Sequence, residues 1–207
     1  VDELGNVIES DRLMAIFIRD LINKVDNKNF IIDVKCSQAL EEEITKVGGT
    51  PIMVKNGSAY IEAFIHNYPA LFGGEYSGHV FFRDRHYGYD DGLYASLRLI
   101  ELLSSSPLKA SELTNDLPKY FNTPELKVKV ADEKKFQVVD QVKTYCQEKG
   151  YAFLDIDGVR VKYPDGFALI RASNTGPNLT LRFEATTRER LADILKEFTL
   201  LVNKLVQ

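Results

Sequence analysis

Apolar and polar positions change their rhythm midway along this chain. In the first half, short apolar runs alternate with stretches of helical spacing. Ser10 or Asp11 stands where a helix is capped, and Leu13, Ile16, Phe17 and Leu21 follow at helical intervals. Phe30–Val34 is a short run, apolar but for Asp33, of the kind a buried parallel strand requires. Ser37 caps a second helix that stops at Gly48-Gly49, Pro51–Val54 is the next strand, and Asn56-Gly57 turns into a helix through Tyr60, Phe64 and Ile65. Val1–Ile8 reads as a strand or hairpin turning at Gly5-Asn6, Val80–Phe82 as another strand, and Asp91–Leu103 as a further helix. Such alternation predicts a three-layer α/β/α domain with a mostly parallel sheet.

After Leu103 the pattern breaks. Ser104-Ser105-Ser106-Pro107 ends the helix, Ala110–Leu117 is one short further helix, and Pro118 through Pro124 reads as a linker. The expected domains are therefore residues 1–118 and 119–207, with the segment near Lys119 as a candidate hinge. Beyond it, Leu126–Val130 alternates as a strand, and Phe136, Val139, Val142 and Cys146 mark the apolar face of a helix. Phe153–Ile156 and Val159–Tyr163 flank Asp157-Gly158, a strong hairpin signal. Pro164-Asp165-Gly166 turns into Phe167–Ile170, Leu179–Phe183 is the last strand, and Leu191 to Leu205 line one face of a closing helix. Clustered strands framed by two helices predict a small α+β domain with an antiparallel sheet.

Composition narrows the function classes. A hydrophobic share of 44% and a charged share of 27% are those of an ordinary globular protein. The net charge of −4, without a dense basic run, argues against a nucleic-acid binder. No apolar run approaches a membrane span, and Cys36 and Cys146 match no metal or redox spacing, so cytoplasm and free thiols are the expectation. The chain starts at Val1 in what reads as mid-strand, as a piece of something longer would. A monomer is expected.

Two stretches carry candidate chemistry. Gly73–Gly92 holds five of the thirteen glycines and two of the three histidines. Its glycines disfavour a helix, and in an extended chain Glu75, Ser77 and His79 would share one face, a hydrogen-bonding surface for a sugar. The same residues also suit a polar turn before a strand. The second stretch is Arg171-Ala172-Ser173-Asn174-Thr175-Gly176-Pro177, with Arg182 beyond it. Its hydroxyls, amide and turn-exposed N–H groups suit an anion, and the arginines can grip phosphate at roughly 1.5–3 kcal/mol per charge-assisted bond. Such residues also make ordinary hairpin loops.

Both stretches resemble one family. Gly74-Glu75-Tyr76-Ser77-Gly78-His79, continuing through Asp90-Asp91-Gly92 into a helix, is similar to the sugar-binding loop of the α-D-phosphohexomutases, and Arg-Ala-Ser-Asn-Thr-x-Pro followed by Leu-x-Leu-Arg-Phe-Glu-Ala is similar to their phosphate-binding loop. Asn174 favours the bacterial phosphomannomutase/phosphoglucomutase type over the phosphoglucosamine type. The resemblance covers nearly the whole chain, as the third and fourth domains of a four-domain enzyme. It implies that Glu75 and Ser77 hold sugar hydroxyls, that His79 supports their loop, and that Arg171, Ser173, Asn174, Thr175 and Arg182 grip the phosphate not being transferred. Arg12 and Lys35 would face the cleft, although each alone reads as a solvated surface charge. Ser58 stands where the subgroup commonly has a substrate-facing histidine; His66 lies further along the same helix, and His86 reads as a surface or loop residue.

The resemblance implies a mutase moving phosphate between C6 and C1 of mannose or glucose phosphates, with glucose 1,6-bisphosphate as intermediate. The family's phosphoserine loop and its Asp-x-Asp-x-Asp-Arg magnesium loop are not in this sequence. The expectation is a substrate-binding half with no catalytic residue and no metal ligand of its own. Mg²⁺ and the N-terminal domains of the same polypeptide would be its partners, and it would be inactive alone. A phosphoglucosamine-type mutase is the alternative within the family, and two non-mutase readings stand beside it: a phosphosugar-binding module without chemistry, and a hydrolase using Ser77 with His79. The order around Ser77 does not match the usual serine elbow.

Overall fold

In the computed structural model, which describes residues 1–207, the chain divides into two compact units, Val1–Pro118 and Lys119–Gln207. The first is a three-layer α/β/α unit. Helix α1 (Ser10–Leu21), strand β1 (Asn29–Asp33), α2 (Gln38–Lys46), β2 (Thr50–Val54), α3 (Ser58–Asn67), β3 (Phe72–Gly74), β4 (Val80–Phe82) and α4 (Gly92–Ser105) follow in order. The sheet runs β2-β1-β3-β4, with β1 parallel to β2 and β3, and β4 antiparallel at the edge. Alternate residues of β1 face opposite layers. Phe30 and Ile32 pack with Met14, Phe17 and Leu40 of α1 and α2, while Ile31 packs with Ile61 and Ile65 of α3. Strand β3 is squeezed between these layers. A Cβ on Gly73 would lie 3.2 Å from Ile31 Cβ, and one on Gly74 would lie 2.7 Å from Met14 Cε. The glycine pair is therefore what lets both helical layers approach.

The second unit has two layers. Strands β5 (Phe121–Asn122), β6 (Leu126–Lys129), β7 (Phe153–Leu154), β8 (Val159–Tyr163), β9 (Gly166–Ala172) and β10 (Asn178–Ala185) form a six-stranded antiparallel sheet. Helices α5 (Asp132–Glu148) and α6 (Arg188–Leu205) cover one face. That face is apolar: Val159, Val161, Ala168, Ile170, Leu179, Leu181 and Phe183 pack against Val138, Val142, Ile194, Phe198 and Val202. Each large side chain buried there stabilises the unit by roughly 1.5–3 kcal/mol. Cys146 lies in the same core, where burial pushes its thiol up to about 11. Native Cys146 is therefore expected to resist a disulfide-exchange reagent at pH 8 and to react only on unfolding; prompt reaction in the folded chain would show that this core opens readily.

Several local expectations are corrected. Val1–Ile8 is not a strand; Asp2 holds a turn by accepting from the Leu4 and Asn6 N–H groups. Helix α1 begins at Ser10 with no side-chain cap, and the Asp11 carboxylate instead accepts from Ser37 N–H. Ser37 itself caps α2, and Asp91 caps α4 by accepting from Tyr94 N–H. The Ala110–Leu117 helix shrinks to one 3₁₀ turn, Ala110–Glu112. The expected linker contains β5, which pairs with Glu184 and Ala185 of β10. On α5 the buried stripe runs through Lys135, Val138, Val142 and Cys146, so Phe136 is exposed rather than in the core.

Candidate functional site

In the first unit the polar side chains gather where the parallel strands end. Asp33 closes β1, Asn56 follows β2 and Glu75 follows β3, so all three stand at carboxyl ends of neighbouring strands. The chain passes from β1 to β2 on one side and later places β3 on the other, which makes the β1/β3 boundary a switch point of the topology. Crevices at such points are where open α/β sheets take their ligands. Asp33 is fully buried and accepts from Asn56 Nδ2 at 2.8 Å, from Tyr76 N–H at 3.1 Å and from Cys36 Sγ at 3.0 Å. Asn56 also donates to Glu75 Oε1, and Lys35 Nζ stands 4.0 Å from the same oxygen. Both Lys35 and Glu75 are buried, so Lys35 is not a solvated surface charge.

The loop after β3 is a tight turn and not an extended run. Glu75 N–H donates to His79 O, Gly78 N–H donates to Glu75 O, and Gly78 has a φ of 103°. Glu75, Ser77 and His79 therefore do not share a face as strand alternation would require. Glu75 turns inward, Ser77 is exposed at the tip, and His79 Nδ1 lies 2.5 Å from Asp90 Oδ2. Ser58 is the first residue of α3 and half-buried. Arg12 Nη2 donates to Thr114 O. His86 lies in the loop before α4, its ring stacked on Tyr94 at 4.3 Å. The structure thus brings Lys35 to Glu75, gives Arg12 and His79 other partners, and adds Asp33 and Asn56. In the sequence Asp33 stands unmarked inside the Phe30–Val34 run, and Asn56 stands only as part of a turn. The available signal was a polar residue at the carboxyl end of each apolar run, Asp33 within the first and Asn56 two residues beyond the second.

In the second unit the loop Ser173–Pro177 joins β9 to β10. Ser173 N–H donates to Asn178 O, Thr175 N–H donates to Ser173 Oγ at 3.3 Å, and Asn174 and Thr175 are exposed. Lys135 of α5 braces the loop from below, donating to Ser173 O at 2.8 Å and to Gly176 O at 3.4 Å. Arg171 pairs with Thr180, and Arg182 pairs with Leu169, so the two arginines lie on one sheet face as diagonal neighbours. This is the face opposite the α5 and α6 core. Arg171 is buried; its Nε donates to Asp157 Oδ2 at 2.8 Å, while its buried Nη2 has no hydrogen-bond partner in the protein. Arg160 shares the face through its pairing with Leu169, and its guanidinium lies 3.9 Å from the centre of the Phe167 ring, with that of Arg182 at 5.8 Å. Lys135 and Arg160 carry no signal in the sequence, and Asp157 shows there only as part of a hairpin turn, because each supports its neighbours across strands or from a helix. Across the chain, no group of three or more His, Cys, Asp or Glu side chains converges as a metal ion would need.

Comparison with known proteins bears on both loops. Residues 9–121 match the family described as phosphoglucomutase/phosphomannomutase, alpha/beta/alpha domain III, and residues 125–201 match its C-terminal domain. A phosphomannomutase/phosphoglucomutase of Pseudomonas syringae pv. tomato is 42% identical over 194 residues, which is 94% of this chain and 42% of that protein. A phosphoglucomutase of Neisseria meningitidis is also 42% identical, over 94% of this chain and 42% of its own length. The chain therefore spans about two-fifths of the curated relatives it matches. Among solved structures, a phosphoglucomutase/phosphomannomutase family protein of Burkholderia thailandensis is similar, with a TM-score of 0.87 and 38% identity over 97% of this chain and 43% of that one. An Aspergillus fumigatus N-acetylphosphoglucosamine mutase, in complex with GlcNAc-6P and magnesium, shares the fold at 14% identity and a TM-score of 0.73, over 99% of this chain and 46% of its own. The chain belongs to the phosphoglucomutase/phosphomannomutase family, of which it carries domain III and the C-terminal domain.

Proposed function

We propose that this chain is the substrate-recognition part of a phosphohexomutase that interconverts hexose 6-phosphate and hexose 1-phosphate through a bisphosphorylated sugar. In this reading Glu75, held by Asn56 and Lys35, accepts hydrogen bonds from sugar hydroxyls, and the exposed Ser77 adds a second contact. His79, tied to Asp90, steadies the loop. Arg171, Ser173, Asn174, Thr175 and Arg182 hold the phosphate that is not transferred, while Arg12, Lys35 and Ser58 line the sugar side. The observation that carries the proposal is Arg171: a buried guanidinium whose Nε edge is occupied and whose Nη2 lacks a partner is a donor awaiting an acceptor.

The phosphoryl donor and the magnesium ion belong, on this reading, to the part of the relatives that the chain does not span. A metal there would neutralise charge developing on the transferred group. The residues present here bind and orient; they do not carry out the transfer. Glucose 1-phosphate or mannose 1-phosphate added to the 207-residue chain is expected to bind weakly, at a roughly millimolar Kd, which is about −4 kcal/mol. Amide NMR shifts should cluster at residues 75–77 and 171–182. Shifts confined to other residues would sink the site assignment, and detectable mutase turnover by the chain alone would refute its reading as a recognition part.

A further inference from the structure

The β7–β8 hairpin turns at Asp157-Gly158, where Gly158 but not Asp157 takes a positive φ, and Asn serves at turn positions as readily as Asp. The turn therefore does not require a carboxylate, yet this one reaches sideways to the neighbouring strand β9 and accepts from Arg171 Nε at 2.8 Å. Both groups are sheltered, with side-chain exposures of 14% for Asp157 and 5% for Arg171. Gly158 brings the turn close enough for that contact: it lies against the β9 backbone, where a Cβ would stand 2.6 Å from Arg171 Cα.

A guanidinium is a planar fork, so fixing its Nε edge fixes the direction of its two terminal nitrogens. One of those nitrogens, Nη2, is buried without a protein partner. We infer that Asp157 is a positioning residue: it clamps the Nε edge of Arg171 and so aims the other edge at the phosphate of a bound sugar. The inference rests on the proposed role of Arg171 in phosphate binding. Asp157 does not touch the ligand; it acts through the arginine.

Simple electrostatics makes the opposite prediction, and this separates the two accounts. A carboxylate beside an anion site lowers the local positive potential, so removing it should tighten phosphate binding. A lost clamp should weaken binding, because the freed side chain must be ordered again when the ligand arrives. The test is a titration of the 207-residue chain with inorganic phosphate and with glucose 1-phosphate, followed by NMR. Arg171 Nε–H is observed in the same spectra. For Asp157→Ala, affinity for both ligands is expected to fall about fivefold to tenfold, a change of roughly 1 kcal/mol or slightly more, and the Nε–H signal should broaden through exchange with water.

Asp157→Asn keeps an acceptor oxygen in place and should bind within about twofold of the parent, with the Nε–H signal retained. Affinity for Asp157→Ala that equals or exceeds the parent's overturns the inference. So does an Arg171 Nε–H signal that is unchanged in that variant. Should Asp157→Ala fail to fold, Asp157→Asn decides by its Nε–H signal, whose loss overturns the clamp. Arg171→Met separates the two proposals. If it leaves both affinities intact, the phosphate role of Arg171 fails and the inference falls with it. If it abolishes binding while Asp157→Ala does not weaken it, only the clamp is wrong.

Discussion

Gly158→Ala is expected to destabilise the second unit by about 3 kcal/mol or more, a large share of the 5–15 kcal/mol that holds a typical domain together. Two effects add. Gly158 has a φ of 79°, a left-handed conformation that costs a residue with a Cβ about 1 kcal/mol or more. The new Cβ would also stand 2.3 Å from Ile170 O and 2.6 Å from Arg171 Cα. Backbone atoms of a central strand cannot rotate away as a side chain can, so β8 and β9 must part; overpacking of this kind costs about 1–3 kcal/mol. Protection of the β9 and β10 amides against hydrogen exchange reads the loss locally. Gly150→Ala is the control, because Gly150 has a φ of 69° but nothing within 4 Å of a Cβ. It should show the conformational cost alone, about 1 kcal/mol. Equal losses in the two variants would mean that the close approach at Arg171 carries no energy.

The second large effect is expected in the first unit. Asp33→Ala removes the buried carboxylate on which Tyr76 N–H, Asn56 Nδ2 and Cys36 Sγ converge. Hydrogen bonds to charged groups contribute about 1.5–3 kcal/mol each, and part of that returns as the cavity hydrates. A net loss of about 2–4 kcal/mol in the stability of this unit is expected. The functional effect should be more selective. Asn56 holds both Asp33 and Glu75, so releasing one end of it disorders the turn that presents Glu75 and Ser77. In a titration with glucose 1-phosphate, shifts at residues 75–77 should disappear while those at 171–182 remain. Asp33→Asn, which keeps one acceptor oxygen, should fall between. Parent-like stability together with parent-like shifts in Asp33→Ala would show that the cluster at the strand ends does not support the turn.

The layers of both units and most of their elements were legible in the sequence, but the short strands β3 and β5 were not. Phe30–Val34 announces a buried strand because a strand covered on both faces must be apolar almost throughout, Asp33 being the one exception, and the structure places helices on both sides of β1. Ser37 and Asp91 announce helix starts because a short oxygen-bearing side chain caps its own helix locally, and both do so. The two loop motifs likewise point to the family, since each is a contiguous run of residues. Alternation failed at Glu75, Ser77 and His79 because it assumes an extended backbone. Gly78 permits a positive φ, and the chain closes a tight turn there instead.

Which polar groups meet depends on how the strands assemble. Asp33, Asn56 and Glu75 are far apart in the chain and come together because parallel strands end side by side. Asp157 reaches Arg171 because adjacent antiparallel strands set a hairpin turn beside a neighbour's side chain. Helical spacing could not tell Phe136 from Val138, because the buried stripe of α5 depends on how the helix is rotated against the sheet. Local signals report what a residue does to its own backbone. The surroundings of a side chain are set by strands that hydrogen-bond across long stretches of sequence, and that pairing is a property of the folded sheet.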